Sequence, residues 1–192
     1  MKKNTIKFYD KIYSPLFKKK YTKKSNRAGP SLRQLEIFRK SNKIDIHKVI
    51  DVGCSWGMAL KYWKKRNVYA VGADVSKIVV KHCKKHKFNC KRSSATDLSK
   101  FNDKSFDLYM STDVYEHIRA KDLQFAIEEA IRVTSKYFLI RVHTTLDKRG
   151  TLHLTVWDLD RWASFFMNNG LKILNFGDGE FNTYKNTFFM EI

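Results

Sequence analysis

Proline is nearly missing from this chain of 192 residues, which has only Pro15 and Pro30. From residue 31 onward no helix or strand is interrupted by a residue lacking an amide hydrogen, and a proline-rich linker or recognition segment is excluded. Cysteine is scarce as well. Cys54, Cys83 and Cys90 are odd in number and irregular in spacing, which argues against a disulfide framework and for reduced thiols. No stretch approaches the roughly 18 apolar residues of a membrane span, and the basic N-terminus is followed by no apolar run of signal-peptide length. The expectation is a cytoplasmic protein without a membrane span. Acids are rare in the first hundred residues, 6 against 27 Lys plus Arg, whereas the last 92 carry 13 against 11. The net charge of +19 is therefore a property of the N-terminal half. Two readings of it stay open: a surface for nucleic acid or another polyanion through residues 1–100, or compositional drift toward Lys, which outnumbers Arg 28 to 10.

What is present is a chain able to build one core, with 43% hydrophobic and 14% aromatic residues. Residues 1–45 read as a basic N-terminal extension or lid and 46–192 as the main domain. In the extension, Phe8, Tyr9, Ile12, Tyr13, Leu16 and Phe17 recur at helical intervals, and Lys18–Lys20 with Lys23 and Lys24 form a charge run. The Gly29-Pro30 step then breaks the pattern. Ser31 is predicted to cap a helix bearing Leu32, Leu35 and Phe38, which would lie over a ligand mouth or a sheet edge. From residue 48 strands and helices alternate: strands 48–53, 68–73, 88–92, 106–111 and 136–142, with helices 57–66, 76–86 and 121–133, then a helix over 158–169. That rhythm predicts a doubly wound α/β domain, its sheet mostly parallel with helices on both faces. Residues 171–176, the turn Gly177-Asp178-Gly179 and a last apolar strand 187–190 would close it.

The most informative stretch is Val49-Ile50-Asp51-Val52-Gly53-Cys54-Ser55-Trp56-Gly57-Met58. An apolar strand ends in an acid, and two glycines let the backbone turn and approach a ligand closely before a helix begins. That helix start would suit a carboxylate. The glycines are spaced Gly-x-x-x-Gly, not the Gly-x-Gly-x-x-Gly of a dinucleotide site. Further on, Asp74 ends the second strand, Ser94-Ala95-Thr96-Asp97-Leu98 follows the third, and Phe106-Asp107-Leu108 leads into Asp113-Val114-Tyr115-Glu116-His117-Ile118 at the fourth.

In order and spacing these four segments resemble the motifs of the class I S-adenosylmethionine (SAM) dependent methyltransferases, a superfamily of Rossmann-like enzymes, and in particular its small-molecule branch. The resemblance implies a seven-stranded sheet with a C-terminal antiparallel hairpin and SAM as cofactor. It further implies cofactor contacts from Asp51, Gly53, Cys54, Gly57, Asp74, Val75, Thr96, Asp97 and Thr112, with Asp74 on the ribose hydroxyls and Asp97 at the adenine amino group. Two departures stand out. Ser55 replaces a middle glycine, and Thr134-Ser135-Lys136 stands where relatives carry a Gly-Gly turn.

For methyl transfer to a hydroxyl, a base within hydrogen-bond reach of the leaving proton is needed, and histidine titrates in the right range. His117 follows the fourth strand, and His143 and His153 lie in the segment where this fold places acceptor contacts; the three are alternative catalytic candidates. The expected function is methyl transfer, to oxygen of a small or glycan-type acceptor. The alternatives are an RNA or nucleotide methyltransferase and a non-catalytic SAM or nucleic-acid binding module. Asp113, Glu116 and His117 with His143 or His153 form an oxygen-and-nitrogen set able to hold a divalent ion, and His82, Cys83, His86 and Cys90 have the composition of a zinc site. The site is nonetheless read without a metal: the first set is a short signal whose leading acid is Asp113, and for the second Cys90 falls in the following strand and isolated helix histidines are mostly structural.

Overall fold

The computed structural model describes residues 3–14, 28–146, 152–174 and 186–192. The Lys18–Lys24 charge run and the Gly177-Asp178-Gly179 turn lie outside the described residues, as do Leu16, Phe17, Asn175 and Phe176. In chain order the elements are α1 (Lys3–Ile12), α2 (Ala28–Ser41), β1 (Lys48–Val52), α3 (Met58–Lys64), β2 (Tyr69–Asp74), α4 (Lys77–Lys85), β3 (Asn89–Arg92) and β4 (Phe106–Thr112). After two short 3₁₀ turns come α5 (Leu123–Val133), β5 (Thr134–Arg141), α6 (Leu159–Asn168), β6 (Lys172–Ile173) and β7 (Thr187–Glu191). They form one seven-stranded sheet in the order β3-β2-β1-β4-β5-β7-β6. β1 to β5 run parallel, and β7 pairs antiparallel with both β5 and β6.

Side chains alternate across the sheet, so each face has its own core. Ile50, Val52 and Tyr109 pack with Ala126, Ile127 and Ala130 of α5 and with Trp162 and Phe166 of α6. Val49, Leu108, Met110 and Leu139 point the other way, to Leu32 and Leu35 of α2 and Ala59 and Trp63 of α3. β1 is buried at four of its five positions, as a strand covered on both faces must be. α2 therefore covers a sheet face, not the mouth or edge expected from sequence. It also starts at Ala28, four residues before the expected first helical residue, Leu32. Ser31 is buried within the helix and does not cap it, because Pro30 is tolerated in a first turn, where its missing N–H would have had no helical partner.

A second correction concerns Thr134-Ser135-Lys136, which forms no turn. β5 begins directly at Thr134, fully buried, as α5 ends. The helix end finds other partners: the Lys104 amide donates to the Arg132 carbonyl at 2.8 Å and the Lys104 ammonium to the Ile131 carbonyl at 2.9 Å. A lysine from the preceding loop thus takes over the satisfaction of carbonyls that a glycine turn usually provides. No helix among the described residues is long and apolar enough to cross a membrane.

Candidate active site

The strand order reverses direction between β1 and β4, and the loops leaving the carboxyl ends of β1, β2, β3 and β4 meet there, where open α/β sheets hold their ligands. The β1 loop is the tightest. Gly53, Ser55 and Gly57 all have positive φ, at 78°, 47° and 75°, so Ser55 adopts the left-handed conformation that the glycine it replaces would take more easily. A Cβ on Gly53 would collide with Cγ2 of Val114, in the loop after β4. The Gly53 amide donates to the Ala73 carbonyl at 2.7 Å, tying the loop to β2.

Asp74, at the end of β2, is 6% exposed. Its Oδ2 accepts the Ser55 amide at 3.1 Å and its Oδ1 the Ser76 amide at 2.9 Å. Burial pushes its carboxyl up to about 7, against the pull of those two amides. Asp51 is likewise pushed up to about 7, by burial first and by Asp74 second. Val75 and Thr112 are half-buried at the strand ends, and Arg92 donates to the Val75 carbonyl at 3.0 Å. Thr96 shares a hydroxyl contact with Ser94 at 2.9 Å. Asp97 is exposed, and its carboxylate accepts the Ser99 amide at 3.2 Å, capping its own turn.

Beside this cleft the three candidate histidines converge. The His117 ring lies 5.1 Å from that of His153, which stacks 5.1 Å from His143. His117 Nδ1 is 2.8 Å from the Leu152 carbonyl. A carbonyl can only accept, so Nδ1 carries the proton and Nε2 presents its lone pair. Burial lowers the pKa of His117, keeping the ring neutral at neutral pH. Glu116 is fully buried and pushed up to about 8, by burial first and then by Asp113. Asp113, with φ of 58°, pairs with Arg141 at 3.1 Å and faces His143 at 3.6 Å. The 152–155 segment is held in place by backbone bonds from Leu154 and Thr155 to the Glu116 carbonyl and by the Thr155 hydroxyl on the Ile118 carbonyl at 2.7 Å.

One contributor was missed in the sequence. Arg141 follows the apolar stretch Tyr137–Ile140, and a charge at that strand's carboxyl end was the available signal. α1, read in the sequence as part of an N-terminal extension or lid, spans the mouth. Tyr9 lies edge-on to His117 at 6.1 Å, Asp10 accepts the Ser76 hydroxyl at 2.7 Å, and Tyr13 meets Trp56 at 5.1 Å. Metal-ligand groupings among the described residues include Asp113-Glu116-His143 and Glu116-His117-His153. A separate hollow of about 430 Å³, lined by Lys48, Tyr69, Lys91, Lys100, Phe101 and their neighbours, opens at the amino ends of β1, β2 and β4. Of the motif segments, only Phe106 at the start of the fourth lines it.

A seven-stranded α/β sheet with a glycine loop, paired buried acids and a polar cluster at its carboxyl edge defines the class I SAM-dependent methyltransferase fold. Residues 50–137 match the model of the family described as methyltransferase domain. Among solved structures, the chain is similar to a SAM dependent methyltransferase from Archaeoglobus fulgidus (17% identity, 92% of this chain and 98% of that one, TM-score 0.66). It is also similar to magnesium protoporphyrin IX methyltransferase from Synechocystis PCC 6803, solved with bound SAM (14%, 100% and 97%, TM-score 0.68). A third is a methyltransferase from Haloferax volcanii in complex with the Trm112 methyltransferase activator (15%, 96% and 96%, TM-score 0.72). No curated protein matches the chain.

Proposed function

We propose that the chain transfers a methyl group from SAM to an oxygen of a small or glycan-type acceptor. The cofactor reading is supported by the donor set: each Asp74 oxygen accepts one backbone amide and keeps a second lone pair for a ribose hydroxyl. Gly53 and Gly57, Asp51, Cys54, Val75, Thr96 and Thr112 would surround the rest, with Asp97 reaching the adenine only by turning from its cap. When bound, SAM supplies a sulfonium-activated methyl, so alignment does most of the work left to the protein.

The observation that carries the acceptor reading is the convergence of His117, His153 and His143 beside the cofactor loops. His117 Nε2 takes the hydroxyl proton, while the Leu152 carbonyl holds the ring in the required tautomer. Buried Glu116 and the Asp113–Arg141 pair flank the resulting imidazolium, and His153, with His143, offers a route for the proton toward solvent. α1 acts as a lid, its Tyr9, Asp10 and Tyr13 touching the acceptor side, the β2 end and the cofactor loop in turn. The test is transfer of labelled methyl from SAM to a panel of hydroxyl compounds and sugars. His117→Ala should retain SAM affinity and lose transfer; transfer to nitrogen or sulfur acceptors alone would refute the oxygen assignment.

A second reading, an RNA or nucleotide acceptor, is favoured by the lysine-lined hollow with exposed Tyr69. RNA affinity falling on a log-log salt plot with a slope of about −0.7 per phosphate neutralised, together with RNA-dependent methylation, would promote it.

A further inference from the structure

All three cysteines of the chain meet at one point. Cys54 comes from the β1 loop, Cys83 from α4 and Cys90 from β3, and each is buried. Their sulfurs lie within 4.8 Å of one another, with Cys54 Sγ and Cys90 Sγ 3.6 Å apart. The surroundings are hydrocarbon, from Leu60, Val79, Val80, Phe88 and Ala70. Gly72 of β2 is shaped to the cluster: a Cβ there would sit 2.6 Å from Cys54 Sγ. Methyl transfer as argued above uses Cys54 only as part of the loop around the cofactor and gives Cys83 and Cys90 no role.

Geometry says what would. With metal–sulfur bonds of about 2.3 Å, a trigonal ion spaces its sulfurs at about 4.0 Å, a spacing that lies between the 3.6 Å of Cys54 and Cys90 and the 4.8 Å that bounds the set. No fourth His, Cys, Asp or Glu joins this group among the described residues. His82 and His86, which the sequence places with Cys83 and Cys90, pack instead as rings, His82 edge-on to Trp56 at 4.6 Å and the two histidines tilted against each other at 4.3 Å. Structural zinc takes four ligands, whereas soft thiolate sets select Cu(I).

We propose that Cys54, Cys83 and Cys90 form a three-sulfur binding site for a soft d¹⁰ cation, with Cu(I) the ion that fits it. Each thiol that ligates releases its proton to solvent. Because Cys54 belongs to the loop after β1, a bound ion would also fasten that loop to α4 and β3.

The test is an oxygen-free titration of the reduced full chain with Cu(I) against a chromophoric Cu(I) chelator, followed by X-ray absorption at the copper edge. One equivalent should be retained, with three sulfur neighbours at about 2.3 Å, and it should be lost in Cys83→Ser and in Cys90→Ser checked for folding by circular dichroism. Failure to retain copper would overturn the site, as would a first shell of nitrogen or oxygen, preference for Zn(II) with a fourth light neighbour, or undiminished uptake by the folded variants. Should the variants not fold, the sulfur count in the wild-type spectrum decides alone.

Discussion

Two halves of one sheet edge are built in opposite ways. On the β1–β2 side, the groups assigned to the cofactor are close in sequence and are held by backbone: the Asp74 carboxylate grips two amides, and Gly53 hangs from the Ala73 carbonyl. On the β4–β5 side, Asp113, Glu116, His117, Arg141, His143 and His153 come from three segments and are held largely by one another and by long-range carbonyls such as that of Leu152. The first half is fixed by hydrogen bonds to its own and the neighbouring strand's backbone. The second is assembled by tertiary packing of segments that lie far apart in the chain.

That contrast can be broken most severely at its seam. Gly53→Val would force a side chain into Val114 at a positive φ that branched residues avoid. Stability should fall by on the order of 3–5 kcal/mol and SAM binding should vanish, as read by denaturant unfolding and calorimetry. Next in size is His117→Ala, which should reduce turnover by roughly 100-fold or more with SAM affinity intact. Because burial lowers the His117 pKa, the wild-type acid limb in a pH–rate profile should lie below the ordinary histidine range and disappear in the variant.

A smaller effect separates function from stability. Asp51 ionises near 3.9 when unfolded but is pushed up to about 7 when folded, so the folded state holds its proton more tightly. Its contribution to stability is full below about pH 4 and is lost as pH rises through 7. Asp51→Asn should therefore be more stable than wild type at pH 8, by on the order of 2 kcal/mol, while binding SAM less well; urea melts across pH check it. The smallest effect concerns the lid. Asp10→Asn weakens one bond to Ser76 and should change cofactor affinity by about 0.5–1 kcal/mol, mainly by speeding dissociation in stopped-flow measurements.

Legibility in the sequence follows the same divide. The loop 51–57 and Asp74 could be read because a glycine turn and a strand-end acid are local devices with local signatures. His117, His143 and His153 could be named but only as alternatives, since nothing in a sequence says that residues 117 and 153 share a ring contact. Arg141 went unnoticed because it acts through Asp113, far along the chain, and Tyr9 was legible only as part of a helical stripe because its contact with His117 is made by tertiary packing. The α2 start and the direct α5-to-β5 step were misread for a related reason: Pro30 and Thr134 are exceptions permitted by their tertiary setting, a first helical turn in one case and Lys104 in the other.

The central claim is that the carboxyl edge between β1 and β2 holds SAM. Isothermal titration of the full chain with SAM, run in parallel on wild type and on Asp74→Ala shown to be folded, tests it most directly. The expected result is saturable one-to-one binding by wild type, with proton release near pH 7 as the Asp74 carboxyl ionises, weakened by roughly 1.5–3 kcal/mol in the variant. Absence of saturable binding by folded wild type, or equal affinity in the two proteins, would contradict it.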